Sequence, residues 1–295
     1  MSEASQARAL SSRQLQRLQY IESMAYWEGA VPRERVCERF GLSANHITKI
    51  VGVYRKRAPK NLDYDPSART WRASEHFRPA VCDGTPEEYL TLLRLGLEDS
   101  KAVPIPGIIE AVPSAAMPIP HWPADASCLR YVTRAVREQT GVSIEYQSMR
   151  HADPVARTIW PHALVYAGFR WHVRAYDGLR QRFADFVLAR ICKAKPNATP
   201  SPSPSSPSQD KDWHQEERVD VVPSPKLSAA QRKAIAREYG MTSKSGDWVW
   251  SASMPRSLVG YFLRWHRLDD RNALSRVTVR NWSEVRKLAF DGEED

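Results

Sequence analysis

Between Phe169 and Asp177 the chain alternates aromatic and aliphatic residues with His172, Arg174 and Tyr176. A period of two belongs to a strand with one face in a core. An imidazole, a guanidinium and a phenol then share the other face. More polar groups converge nearby: Tyr146, Ser148 and Arg150 at alternate positions, His162 after the Trp160-Pro161 break, and Arg182 and Arg190 from a last strand. Arginines crowded on one small domain repel one another unless they are paired or meet an anion. Few carboxylates stand close in sequence: Glu145, Asp153, Asp177 and Asp185. Tyr146, Ser148, Arg150, His162, His172, Arg174, Arg182 and Arg190 therefore form a candidate site for an anion such as a phosphate or nucleotide. The bland alternative is a solvated surface, with arginine stems lying along apolar neighbours.

A second set of donors lies nearer the N-terminus. Ser43, Asn45, His46 and Lys49 fall opposite an apolar stripe of Ile47, Ile50, Val51 and Tyr54. Such side chains near the start of a helix suit base edges. Arg55, Lys56 and Arg57 at its end suit phosphates, which position without specifying. The charge balance agrees. The net charge is +9, and residues 1–72 hold thirteen Lys and Arg against seven Asp and Glu. Two thirds of the excess thus sits in a quarter of the chain, which suggests attraction to phosphate, with an ordinary solvated surface as the alternative.

Other chemistry finds no support. The sequence has no phosphate-binding G-x-x-x-x-G-K-[ST] loop, H-E-x-x-H pair, G-x-S-x-G elbow or G-x-G-x-x-G turn. No catalytic residues and no cofactor are expected. Asp63 and Asp65 are paired carboxylates, but they flank a turn, where Asp bonds to nearby backbone more often than to metal. Cys37, Cys82, Cys128 and Cys192 are scattered, with no C-x-x-C pair, so no metal site is expected and a reducing cytoplasm suits them. Residues 1–10 lack a signal-peptide core. No run of eighteen apolar residues suggests a membrane span.

The elements that must position these groups follow from caps and periodicity. Ser11-Ser12-Arg13-Gln14 fits a capping box, and Leu15, Leu18, Ile21 and Ala25 continue it as an apolar stripe ending at Gly29. A second helix over 32–39 turns Val36 and Phe40 inward, and Ser43 caps a third. Residues 61–66 and 68–72 read as two short strands around a turn. Helix, tight turn, basic helix and hairpin make a winged helix-turn-helix. Thr85-Pro86-Glu87-Glu88 caps a further helix, and residues 103–123 hold six prolines and read as an extended connector. Asp125 to Gln139 reads as a helix stopped by Gly141. Residues 196–208, nearly all Pro, Ser and small residues, read as a stiff exposed linker. Beyond it, strands near 219–222, 248–250 and 274–279 alternate with helices over 228–239 and 256–267. Asn281 caps a last helix.

The stretch from Gly141 to Ile191 closely resembles a WYL domain, a small ligand-sensing β-barrel of the Sm/SH3-like kind. The residues that carry the resemblance are Arg157, Pro161-His162-Ala163-Leu164, Arg170-Trp171-His172, Arg174-Ala175-Tyr176, and Phe183 through Arg190-Ile191. The name-giving Trp-Tyr-Leu reads Trp171-His172-Val173. With the helices before and the strands after, the chain resembles WYL-domain transcriptional regulators associated with bacterial phage defence. The resemblance implies an α+β chain: a winged helix-turn-helix over 1–80, a connector over 81–126, the WYL domain over 127–195, a linker over 196–215 and an α/β dimerisation domain over 216–295. It implies a cytoplasmic homodimer that binds an inverted repeat in operator DNA, usually as a repressor. It also implies that the barrel senses a nucleotide or nucleic acid. An activator or single-stranded nucleic-acid sensor is the alternative, and a DNA-processing enzyme a more distant one.

Overall fold

A computed structural model of the protein describes residues 10–98, 113–117, 123–168, 170–244, 247–269 and 275–290. The chain divides into two compact units, Met1–Ile119 and Pro120–Asp295.

The first unit holds α1 (Ser12–Glu28), β1 (Ala30–Val31), α2 (Arg33–Phe40), α3 (Ala44–Arg57), β2 (Leu62–Asp65), β3 (Thr70–Ala73) and α4 (Pro86–Glu98). The capping box at Ser11 and Gln14 is present in both directions, and Gly29 ends α1 in the left-handed region. Ser43 precedes α3, but its hydroxyl bonds to Nδ1 of His46 at 2.9 Å rather than to a backbone amide. The expected wing is the β2–β3 hairpin. Asp65 folds its turn by accepting from the Ser67 and Ala68 amides, as an Asx turn does. No local pattern announces β1, a two-residue strand that pairs with β3 and ties the wing to the end of α1. The core gathers Leu18, Ile21 and Met24 of α1, Val36 of α2, and Ile47, Val51 and Tyr54 of α3.

A buried polar network crosses this core. Glu22 of α1 is fully buried and accepts from the amides of Ala80, Val81 and Cys82 and from the Tyr54 hydroxyl. Asn61 donates to that hydroxyl and to the carbonyl of Arg78, and accepts from the Arg78 amide. One carboxylate thus holds α1, the C-terminal turn of α3 and the segment following the wing in register. Burial first, and Glu22 second, push the Cys82 thiol up to about 12, so this cysteine stays protonated.

The second unit opens with α5 (Ala126–Glu138), capped by Asp125. Its left-handed terminal residue is Gln139, not Gly141, which already lies in a strand. There follow β4 (Thr140–Tyr146), β5 (Val155–Tyr166), β6 (Trp171–Asp177), β7 (Arg182–Val187) and β8 (Ile191–Pro200), in the order β7-β6-β5-β4-β8. This is an open five-stranded sheet and not the expected Sm/SH3-like barrel. Closure would need a β7–β8 ladder, and none exists among the described residues. A 3-10 turn over Leu188–Arg190 separates the two strands, and the Arg190 carbonyl instead accepts from the amide of Gln147. Val132 of α5 packs with Val142, Ile144, Ile159, Val173 and Phe186 to fill one face of the sheet.

The Pro/Ser stretch also departs from expectation. Residues 196–200 complete β8, paired with β4, because proline is tolerated at a sheet edge. Two 3-10 turns, Ser203–Ser205 and Pro207–Gln209, then lead to the short α6 (Lys211–His214). Ser205 and Asp210 are each 1% exposed, so this is a packed segment rather than an extended linker.

Beyond it come β9 (Glu216–Pro223), α7 (Ala229–Glu238), β10 (Thr242–Lys244), β11 (Asp247–Pro255), α8 (Arg256–Trp265), β12 (Val277–Val279) and α9 (Trp282–Val285). The sheet order is β10-β11-β9-β12. Leu274 and the connector positions 103–112 and 118–122 lie outside the described residues. Asn281 does not cap α9 with its side chain; it bridges the Asp220 amide and the Arg218 carbonyl of β9. Trp248, Trp250, Phe262 and Trp282 pack on the core of this module, whereas Trp265 is 52% exposed.

Candidate ligand pocket and nucleic-acid interface

In the first unit, α3 presents Ser43, Asn45, His46, Lys49, Arg55, Lys56 and Arg57 as exposed side chains. Ile47, Val51 and Tyr54 hold the opposite side of the helix in the core. Past the end of α3, Arg57, Lys60, His76 and Arg78 line an open groove to which no carboxylate contributes among the described residues. The sequence reading missed Lys60, His76 and Arg78. Their positions depend on the Asn61 bonds that fix the backbone of residue 78, and those are long-range.

In the second unit, a cavity of about 290 Å³ opens on β6, β7 and α8. Five arginines line it, Arg157, Arg170, Arg174, Arg180 and Arg182, with only two aspartates, Asp177 and Asp185. Of the residues expected at an anion site, Tyr146, Ser148, His172, Arg174 and Arg182 line the cavity. Arg150, His162 and Arg190 do not. Arg150 is exposed beyond the end of β4. Arg190 instead interacts with the Tyr146 hydroxyl. Burial raises the Tyr146 hydroxyl above its ordinary range, opposed by the Val187 amide and Arg190.

His162 belongs to a buried knot beside the cavity. Its Nε2 is 2.9 Å from Oδ2 of Asp210. Arg174 donates to both oxygens of the same carboxylate, Nε to Oδ2 at 2.7 Å and Nη2 to Oδ1 at 2.9 Å. Its remaining arm, Nη1, reaches Oδ2 of Asp185 at 3.2 Å. Burial alone would raise the Asp210 carboxyl, but the bonds from His162 and Arg174 more than reverse this and hold it well below the ordinary range. Asp185 goes the other way: burial raises it, and Arg174 only partly offsets that.

Arg157 is paired as firmly, its Nη1 donating to Asp177 at 2.8 Å with both side chains buried. It lies over the rings of Tyr146 and Phe186. Arg170 donates from Nε to Nε2 of His172 at 3.2 Å. The sequence reading did not place Arg157, Arg170, Arg180, Asp177 or Asp185 in the site. For Arg157 a signal existed, because it falls in phase with Ile159 on the inward face of β5. For Tyr261 and Phe290 none did. Both come from the C-terminal module, and the Tyr261 ring sits 4.7 Å from His172.

Among the described residues no cluster of His, Cys, Asp or Glu could hold a metal ion. No helix among them is long and apolar enough to cross a membrane.

Comparison with known proteins agrees with this architecture. Residues 13–95 match the BrxR transcriptional regulator winged helix-turn-helix domain, residues 127–196 the WYL domain, and residues 216–285 the BrxR transcriptional regulator C-terminal dimerization domain. The DNA-binding transcriptional repressor CapW of Escherichia coli (strain KTE188) is 33% identical over 230 residues, covering 77% of this chain and 75% of the relative. CapW of Pseudomonas aeruginosa is 31% identical over 284 residues, 93% of this chain and 91% of the relative. CapW of Stenotrophomonas maltophilia is 29% identical over 280 residues, again 93% and 91%. The chain belongs to the CapW family of DNA-binding transcriptional repressors.

Proposed function

We propose that the protein represses a phage-defence operon by binding an inverted repeat in its promoter as a homodimer, and that an anionic ligand at the five-arginine cavity releases it. The observation that carries the DNA-binding part is α3, which exposes Asn45, His46, Lys49, Arg55, Lys56 and Arg57 and buries Ile47, Val51 and Tyr54 in the core. Asn45, His46 and Lys49 read base edges, and Ser43 steadies His46. Arg55, Lys56, Arg57 and the groove of Lys60, His76 and Arg78 meet phosphates. A match to a dimerisation domain supports two half-sites about one helical turn apart.

The ligand part rests on the lining of the cavity. Five arginines line it together with Tyr146, Phe183, Phe186 and Tyr261, and guanidinium groups pair with phosphate oxygens in a planar, two-pronged way. A nucleotide or short nucleic acid supplies phosphates for Arg170, Arg180 and Arg182, and a base to lie near Tyr261.

Band shifts with DNA from upstream of the gene test the reading. Full-length protein should bind duplex carrying the inverted repeat as a dimer. Lys49→Ala should cost about 1–3 kcal/mol on that operator and far less on unrelated duplex, as loss of a base contact does. Equal loss on both would move base reading away from this face.

A further inference from the structure

We propose that Arg174 relays occupancy of the cavity to the C-terminal module, through two aspartates that each lead into it. The proposal rests on the reading of the cavity as an anion site, and its own content is the route.

Arg174 lines the cavity on one side and is buried in the knot on the other. Asp185 carries the first route. Its Oδ2 takes Nη1 of Arg174 and, at 3.4 Å, the hydroxyl of Tyr261 on α8. Asp210 carries the second. It caps α6, whose Trp213 packs on His162 at 5.5 Å. Gln215, the next residue after α6, then binds the first residue of α8 twice: its carbonyl accepts from the Arg256 amide at 2.9 Å and its Oε1 from Nη1 of Arg256 at 2.8 Å. Both routes therefore end on α8. That helix also buries Val259, Gly260 and Leu263 in the core of the C-terminal module.

The bonds are unequal in a way that suits a relay. The arm to Asp185 is the longest of the three. Asp185 is also poorly served, because its Oδ1 is buried with no hydrogen-bond partner among the described residues. An incoming phosphate, with three acceptor oxygens, competes best for that arm. The guanidinium is planar, and its two-pronged pairing with Asp210 needs the two groups nearly coplanar. A turn of Arg174 toward the cavity therefore strains both Asp210 bonds together. Loss of the Asp185 bond reaches α8 at Tyr261, and loosening of the Asp210 cap reaches it at Arg256.

Hydrogen exchange on the full-length dimer tests the route, with inorganic pyrophosphate and a thymidine tetranucleotide as probes and calorimetry to score their binding. In the unaltered protein a bound probe should speed exchange in residues 211–214 and 256–265 by about tenfold. Asp210→Asn, which lies outside the cavity lining, should still bind the probe but show fast exchange in both helices beforehand, with no further change. Tyr261→Phe should keep the response of 211–214 and reduce that of 256–265 to the part carried through Gln215 and Arg256. A probe that binds while leaving both helices unchanged overturns the relay and spares the anion site. If neither probe binds, the anion reading loses its support, and Asp210→Asn alone decides the relay. Raised exchange in both α6 and α8 then upholds the connection, and unchanged α8 overturns it.

Discussion

Glu22→Gln should destabilise the winged-helix unit far more than a neutral isostere suggests. Glu22 accepts four hydrogen bonds: Oε1 from the Val81 and Cys82 amides at 2.8 and 2.7 Å, and Oε2 from the Ala80 amide at 2.8 Å and the Tyr54 hydroxyl at 2.7 Å. A glutamine keeps the pair on Oε1 but places an NH2 group where Oε2 was. The Tyr54 hydroxyl can turn to accept, but the Ala80 amide cannot, so two donors then face each other. One charge-assisted bond of about 1.5–3 kcal/mol is lost, and a buried donor is left unsatisfied at about 1–3 kcal/mol. Relief from burying a charge offsets part of this, leaving about 3 kcal/mol. For a domain of this size that lowers its melting transition by about 12–24 °C. Scanning calorimetry of the full chain, with exposed Glu87→Gln as control, measures the shift. Hydrogen exchange should show protection lost first at Ala80 to Cys82 and at the last turn of α3. A shift below about 4 °C would mean that the network is dispensable and the packing of Ile21, Met24 and Val51 suffices.

Lys60→Ala with Arg78→Ala should weaken operator and unrelated duplex alike, and lower the slope of log affinity against log salt by about 0.9 for each phosphate contact removed; fluorescence anisotropy between low and moderate salt reads this, and an unchanged slope removes the groove from the interface. The combined contribution of Asp185 and Asp210 to the stability of the second unit should peak near the ordinary carboxylate pKa of about 4. Below it, protonation of Asp210, whose folded value is depressed, removes stability; above it, ionisation of Asp185, whose folded value is raised, removes some as well. Asp185→Asn should abolish the decline on the alkaline side of the peak, as urea unfolding across pH would show. In Gly260→Ala the added Cβ would stand 2.7 Å from the Leu288 carbonyl oxygen. The gain of about 1 kcal/mol in helix propensity should lose to an overpacking cost of about 1–3 kcal/mol, because backbone yields less than a side chain, and the thermal transition of the second unit should fall.

The features legible in the sequence are those that depend on neighbours a few residues apart. Capping at Ser11, the inward stripe of α3 and the Asx turn at Asp65 are local, and each stands as read. The Pro/Ser segment shows the limit of composition. Its prolines do stop it from joining the interior of a sheet, but they do not stop Pro196–Pro200 from lining an edge. Nor do they stop Asp210 from burying itself on Arg174. Composition reports what a segment cannot do, and the partner that anchors it stands 36 residues away. Sheet closure failed for a related reason. The alternation that makes a strand says nothing about whether the first and last strands meet, and here a three-residue turn decides it.

The cavity shows the same division more sharply. Alternation put His172, Arg174 and Tyr176 on one strand face, and the scarcity of nearby acids pointed to an anion. Carboxylates near in sequence are not the whole set around Arg174. Asp185 was among them, but Asp210 was not, and Asp210 takes two of the three arms of Arg174. An arginine read as a ligand contact is thus already committed to two carboxylates, while Arg170, Arg180 and Arg182 also line the cavity. Arg174→Ala accordingly removes the partner of two buried carboxylates, a change of the class that costs several kcal/mol when an ion pair loses one member. A loss of fold in that variant would therefore say nothing about ligand binding, whereas Asp210→Asn and Tyr261→Phe disturb the connection and leave the arginine in place.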